Sequence, residues 1–276
     1  MTRIVTFPAT LIVIGLAMVI LPVVAVEVAM DRWTSLGYLT RSLVDCVAGL
    51  AGYVAFVRLI ERRRMTELSG RGGWLEGLGG LALGGVLFSA TIGSIWLAGG
   101  VVFDGRNPAP DLTYAAGLAL MAGVVEELAI RGVVFRLLEA WLGSAVALAL
   151  SALLFGGLHL LNPAATIFAA VAVGLEAGVM LAAAFMVTRR LFLPIGLHIG
   201  WNFTQAGVFG VAVSGNAVGG WFETRPVGPE WLSGGDFGAE ASVLAVLWCL
   251  ALGGAMLALA RRLGRIVRAA AFRGDI

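Results

Sequence analysis

Apolar runs of 18 or more residues recur along the whole of this 276-residue chain. A run of that length crosses a bilayer as a helix, because hydrocarbon offers no water to backbone N–H and C=O groups and each must be satisfied within its own segment. The pattern predicts an all-α fold, a polytopic transmembrane helical bundle of about eight spans. Composition agrees. Hydrophobic residues make up 59% and charged residues 13% of the chain, against roughly 45–50% and 25% in soluble domains. No polar stretch is long enough to form a soluble domain.

The spans are expected near 7–27, 36–60, 75–103, 113–138, 144–161, 164–187, 194–213 and 241–260. The first follows Arg3; it is long for a signal-peptide core and no A-x-A site follows it, so it reads as a membrane helix. If all eight cross, arginines in the connections and at the span ends divide unevenly. One side receives 13: Arg3, Arg58, Arg62, Arg63, Arg64, Arg71, Arg189, Arg190, Arg261, Arg262, Arg265, Arg268 and Arg273. The other receives four: Arg32, Arg41, Arg106 and Arg225. The positive-inside rule then puts both termini in the cytoplasm, with "RRLGRIVRAAAFR" (261–273) a basic segment beside anionic lipid. All 19 basic residues are arginine, which suggests G+C-rich codons and a bacterial plasma membrane. The net charge of +2 gives no sign of a nucleic-acid partner; the partner that composition implies is the lipid bilayer.

Smaller features have plain readings. "GGLALGG" (79–85) and "GLEAG" (174–178) space small residues for close helix approach. Cys46 and Cys249 read as packed core residues. Asp45 is expected to pair with Arg41, four residues before it. Trp33, Trp74, Trp141 and Trp221 lie near span ends as interfacial anchors. The connection 214–240 is a plain loop or a partly re-entrant cap.

The stretch "VVEELAIR" (124–131) breaks the apolar rule. One charge at a helix centre in the membrane costs roughly 2.5–3.5 kcal/mol, and such residues are functional candidates by default. Glu127 and Arg131 are four apart and share a face, so they are expected to form a structural ion pair. Glu126 turns about 100° from Glu127 on a 3.6-residue helix and is left to face a cavity. The two histidines of the chain, His159 and His198, also lie in apolar spans, and Asn202 follows His198 by one turn. Glutamate and histidine can activate water, or ligate a metal; asparagine can donate to an oxyanion. Glu176 is a further intramembrane carboxylate that either lines the cavity or bonds a neighbouring helix.

Three patterns occur in order: "EELAIR" (126–131) as EExxxR, "FGGLH" (155–159) as FxxxH, and "HIGWN" (198–202) as HxxxN. Together they resemble the CPBP family, the CAAX-protease and bacteriocin-processing intramembrane proteases, which includes the type II prenyl-protein endopeptidases. The segment "LFLPIGLHIGWNFTQ" (191–205) looks like its bacterial members. The resemblance covers about 113–205 and implies an intramembrane endopeptidase, in which Glu126 and His159 activate water while His198 and Asn202 bind a metal or stabilise the oxyanion. The family is usually described as metalloproteases. Zinc held by Glu126, His159 and His198 is one expectation, and a metal-free site is the other. The substrate would be a peptide or membrane protein. Competing readings are a non-catalytic membrane partner on the same fold and a proton-coupled transporter. No G-x-S-x-G elbow occurs, and only Asp45 among the aspartates lies in a span, which disfavours serine and aspartyl chemistry. The chain is divided accordingly into N-terminal helices (1–112), a protease-like core (113–213), and an outer loop, last helix and basic tail (214–276).

One conflict remains within this reading. Straight spans place Glu126 mid-membrane, His159 near one face and His198 near the other. At least one helix must be shorter or broken, and Asn162–Pro163 is the candidate break.

Overall fold

The structure is a computed structural model and describes residues 7–33 and 36–268. Arg3, Arg273 and the side chain of Trp33 lie outside the described residues. Helices α1 (Pro8–Trp33), α2 (Tyr38–Ala55, continued by a π-helical turn Phe56–Ile60) and α3 (Gly73–Leu97) come first. Strand β1 (Val101–Arg106) follows, then α4 (Leu112–Met121), which runs through two π-helical stretches (Ala122–Glu126, Leu128–Phe135) into α5 (Arg136–Leu142). Next come α6 (Ser144–Leu158) with a 3-10 turn (His159–Leu161), α7 (Ile167–Val173), a π-helical stretch (Gly174–Gly178) and α8 (Val179–Thr188). The chain closes with α9 (Phe192–Phe203) and its π-helical extension (Thr204–Val208), strand β2 (Phe222–Pro226), α10 (Glu230–Ser233), a 3-10 turn (Ala239–Ala241) and α11 (Val243–Arg262).

Among the described residues, six helices are long and apolar enough to cross a membrane. The continuous helix 112–142 and the helix 192–208 occupy the places of the fourth and seventh expected spans. The protein is thus an all-α polytopic membrane bundle. Two span limits are corrected. The third was expected to reach 103, but α3 stops at Leu97, where Gly99 takes a φ of +76° that ends a helix easily. The β-branched run after it pairs antiparallel with β2. The seventh was expected to reach 213 and ends at 208. The 214–240 connection is an ordered cap, built on the β1–β2 ribbon and α10.

Glycine sets the close contact between α3 and α9. A Cβ at Gly80 or Gly84 on α3 would strike backbone atoms of Leu193 or Leu197, and one at Gly196 or Gly200 on α9 would strike the carbonyls of Gly77 or Leu81. The two helices therefore meet backbone to backbone, which only small residues permit. "GLEAG" works likewise: a Cβ at Gly178 would press on Ala152 of α6.

The arginine-rich end is laced by ion pairs. Glu67, in the loop after α2, accepts from Arg63 Nη1 at 2.9 Å and from the Tyr53 hydroxyl. Burial alone would raise the pKa of Glu67, but bonds from Arg63, Tyr53 and the backbone outweigh it and hold the carboxyl down at about 2. Arg136 reaches Glu61 at 2.7 Å, tying α5 to the same loop. At the opposite end the expected Arg41–Asp45 pair is not formed. Arg41 instead meets Glu27 at 2.5 Å and also Asp31, because α1 brings two carboxylates to the guanidinium. Asp45 is buried with Oδ1 unpartnered. Trp74, Trp141 and Trp221 are exposed beside helix or strand ends.

Sidedness gives a first prediction. In a chain lacking Cys46 and Cys249, a cysteine replacing exposed Ser69 should react with an impermeant maleimide only after cells are opened, and one replacing Glu230 in intact cells. Both positions labelling from one side would overturn the arrangement of spans.

Candidate active site

The helix 112–142 carries the charged motif at the seam of two π-helical stretches: Glu126 closes the first, and Glu127 stands between them. Such widened turns gather at functional sites because they re-aim side chains. Glu127 and Arg131 are both fully buried. Arg131 Nη1 donates to Glu127 Oε1 at 2.7 Å, and Nη2 donates to the carbonyls of Ala177 at 2.8 Å and Gly178 at 3.3 Å. The expected pair is present, and it also fastens this helix to the α7–α8 segment.

The same Glu127 oxygen faces His198 Nδ1 at 3.1 Å on α9. The sequence pattern gives no sign of this bond, since nothing local links positions 71 residues apart. With Nδ1–H on a carboxylate, the ring orientation is fixed and Nε2 is left for chemistry. His159 is set in a parallel way. Its Nδ1 lies 2.8 Å from the Phe155 carbonyl, one turn back, which only an Nδ1–H tautomer can exploit; this tautomer is inferred from the partner.

Phe155 explains why an aromatic residue stands in the second motif. The Arg131 guanidinium carbon lies 4.7 Å from its ring centroid, and the rings of His159 and His198 lie 4.7 and 6.3 Å away. The ring is a shared wall for the cation and for both imidazoles, a favourable face for a guanidinium.

His159 and Glu126 do meet, at one cavity. Helix α6 ends at Leu158, His159 starts the 3-10 turn, and the chain breaks at Asn162–Pro163, with Ala164 at a φ of +53°. Helix α7 restarts under a Thr166 cap that accepts from Ala169 N at 3.0 Å.

Glu126, His159, His198 and Asn202 line one cavity of about 160 Å³. Glu126 Oε2 is buried and has no hydrogen-bond partner. Glu127 and Arg131 do not line the cavity but sit behind its wall. Glu176 lines it and also receives the Cys249 thiol at 3.8 Å, so both readings of that residue hold together.

Sequence reasoning missed a second group. Glu240, in the 3-10 turn before α11, is buried and lines the cavity. Its Oε1 accepts from Ser214 N and Oγ, both at 2.6 Å, and its Oε2 from Gln205 Nε2 at 2.8 Å. Gln205, three residues past Asn202, also donates to the Ala212 carbonyl at 2.6 Å. These bonds clamp the 214–240 cap onto the extension of α9. Burial pushes the Glu240 carboxyl pKa up, against the pull of the Ser214 and Gln205 donors. In "GGDFGAEAS" (234–242) the only signal was an acid before an apolar run, which any helix start can show.

By residue type Glu126, His159 and His198 are a donor set that zinc accepts. Among the described residues no group of three or more His, Cys, Asp or Glu is gathered closely enough to hold a metal ion. Glu126, His159 and His198 share the cavity without closing into such a group.

Residues 108–204 match the family model of the Rce1-like type II CAAX prenyl endopeptidases, consistent with the CPBP family that the three motifs resemble. The matched stretch contains Glu126, Glu127, Arg131, His159, His198 and Asn202 and ends before Gln205, Ser214 and Glu240. No curated protein and no solved structure matches the chain.

Proposed function

We propose that this protein is an intramembrane endopeptidase that hydrolyses a peptide bond of a membrane-associated peptide or protein with water activated by Glu126 and His159. The observation that carries this reading is the meeting of four polar side chains from three separate helical segments around one cavity, with an unpartnered Glu126 oxygen among them. A buried carboxylate oxygen left without a donor is costly in a purely structural role. A bound water supplies the donor it lacks.

In this mechanism a water lies between Glu126 and His159. Glu126 takes one proton as the water oxygen bonds to the peptide carbonyl carbon, and His159 Nε2 accepts a hydrogen bond from the other. The carbonyl π pair moves onto oxygen. Asn202 donates its side-chain N–H to that oxyanion. His198, protonated at both nitrogens with Nδ1–H held on Glu127, donates Nε2–H. As the C–N bond breaks, Glu126 returns its proton to the leaving nitrogen, giving a carboxyl product and an amine.

Asn202 and metal content test the chemistry together. Asn202→Ala should lower kcat by about 10²–10³-fold, the usual cost of one lost oxyanion donor, with no change in folding. Strong chelators should leave wild-type cleavage unaltered. Purified active protein holding about one zinc per chain, lost together with activity on chelation, would replace this water mechanism by a metal one and leave the peptidase reading standing.

A further inference from the structure

The cavity holds more carboxylate than one water-activating site uses. Glu126 serves the water, and Glu176 and Glu240 line the same space. Glu240 is satisfied on both oxygens by Ser214 and Gln205. Glu176 is not. Its side chain is only 3% exposed, and its one hydrogen bond is the long contact from the Cys249 thiol to Oε2. A thiol is a weak donor. Oε1 has no hydrogen-bond partner, and no arginine pairs with Glu176 among the described residues. The cavity lining contains no arginine either, and the chain has no lysine.

The wall around Glu176 is apolar: Val173, Ala177, Met180 and Leu181 line the cavity beside it. A single spare carboxylate at the end of an apolar wall suits a ligand with an apolar stem and a cationic head. Lysine and arginine side chains have that construction.

We propose that Glu176 is a specificity-determining residue, forming with its apolar neighbours a subsite that takes a lysine or arginine side chain of the substrate next to the scissile bond. This rests on the peptidase reading. Binding brings the head group onto Oε1, while the aliphatic stem lies on Val173, Ala177 and Met180. A norleucine side chain fills the same wall and leaves the carboxylate unpaired, which is the arrangement that discriminates most strongly against an isostere.

The test uses full-length protein in detergent and amphiphilic reporter peptides that differ only in carrying lysine, norleucine or glutamate at one position, scanned along the sequence. Mass spectrometry locates the cut. Wild type should prefer lysine over norleucine by about 10⁴-fold in kcat/KM at one fixed position relative to the cut. In Glu176→Gln that ratio should fall to near one, and in Glu176→Asp it should partly return. Melting curves identify any variant that fails to fold. The lysine and norleucine peptides are also titrated onto the Glu126→Gln protein, which needs no turnover: tighter lysine binding there, lost in the double variant with Glu176→Gln, supports the subsite. Equal kcat/KM for the two peptides in wild type, equal binding in the Glu126→Gln protein, or a lysine preference that survives Glu176→Gln would overturn it. Cleavage of none of the reporters, with the binding difference intact, counts against the peptidase reading and not against the subsite.

Discussion

Glu126→Gln should abolish detectable proteolysis and leave the protein as stable as wild type. The amide keeps the shape of the side chain and removes the group that takes the proton from water, a loss of about 10²–10⁴-fold in turnover for one general base. Stability should hold because Glu126 Oε2 has no hydrogen-bond partner to lose. Comparative proteomics of membranes carrying wild type or Glu126→Gln reads the outcome and requires no chosen substrate. Proteins that accumulate in the variant, and whose cleaved forms vanish, are substrates. Full turnover of such a protein by Glu126→Gln would remove Glu126 from the role of base.

The neighbouring residue should behave in the opposite way. Glu127→Gln leaves Arg131, which is fully buried, without its counter-charge, and it weakens the bond that orients His198. Breaking one half of a buried ion pair typically costs about 3–5 kcal/mol. Yield, melting temperature and activity should fall together. Two adjacent glutamates would then give distinct signatures, one catalytic with stability intact and one structural with both lost. A Glu127→Gln protein that melts with wild type would show that Arg131 is held well enough by the Ala177 and Gly178 carbonyls alone.

Much of this architecture was legible because membranes impose simple rules. The apolar runs located the helices, and the i,i+4 spacing identified the Glu127–Arg131 pair without any tertiary information. The glycine patterns at 79–85 and 174–178 marked contacts that do form. Legibility failed where partners come from distant segments. Arg41 chose Glu27 and Asp31 over Asp45 because α1 delivers them, and α1 is not visible from α2. His198 meets Glu127 across 71 positions. Glu240 joins the cavity from a turn that looks like an ordinary helix start. The depth conflict was itself informative, since it pointed to the break at Asn162–Pro163, and the chain does leave the helix there. Limits such as Leu97 were missed because a β-branched, apolar stretch such as "VVF" (101–103) continues a hydropathy profile whether it is helix or strand.

The backbone contact between α3 and α9 bears on modularity. The helix that carries His198 and Asn202 rests on Gly77, Gly80, Leu81 and Gly84, and all four precede the matched stretch that begins at residue 108. No side chain intervenes that a new neighbour could imitate. The recognisable segment is therefore not a transplantable cassette. Grafted into another bundle, it would bring every motif residue and leave behind the surface that sets the height and tilt of the histidine helix. The smallest heritable unit of this site reaches back to α3 and forward to Glu240, and recombination inside those limits would tend to separate the chemistry from its mounting.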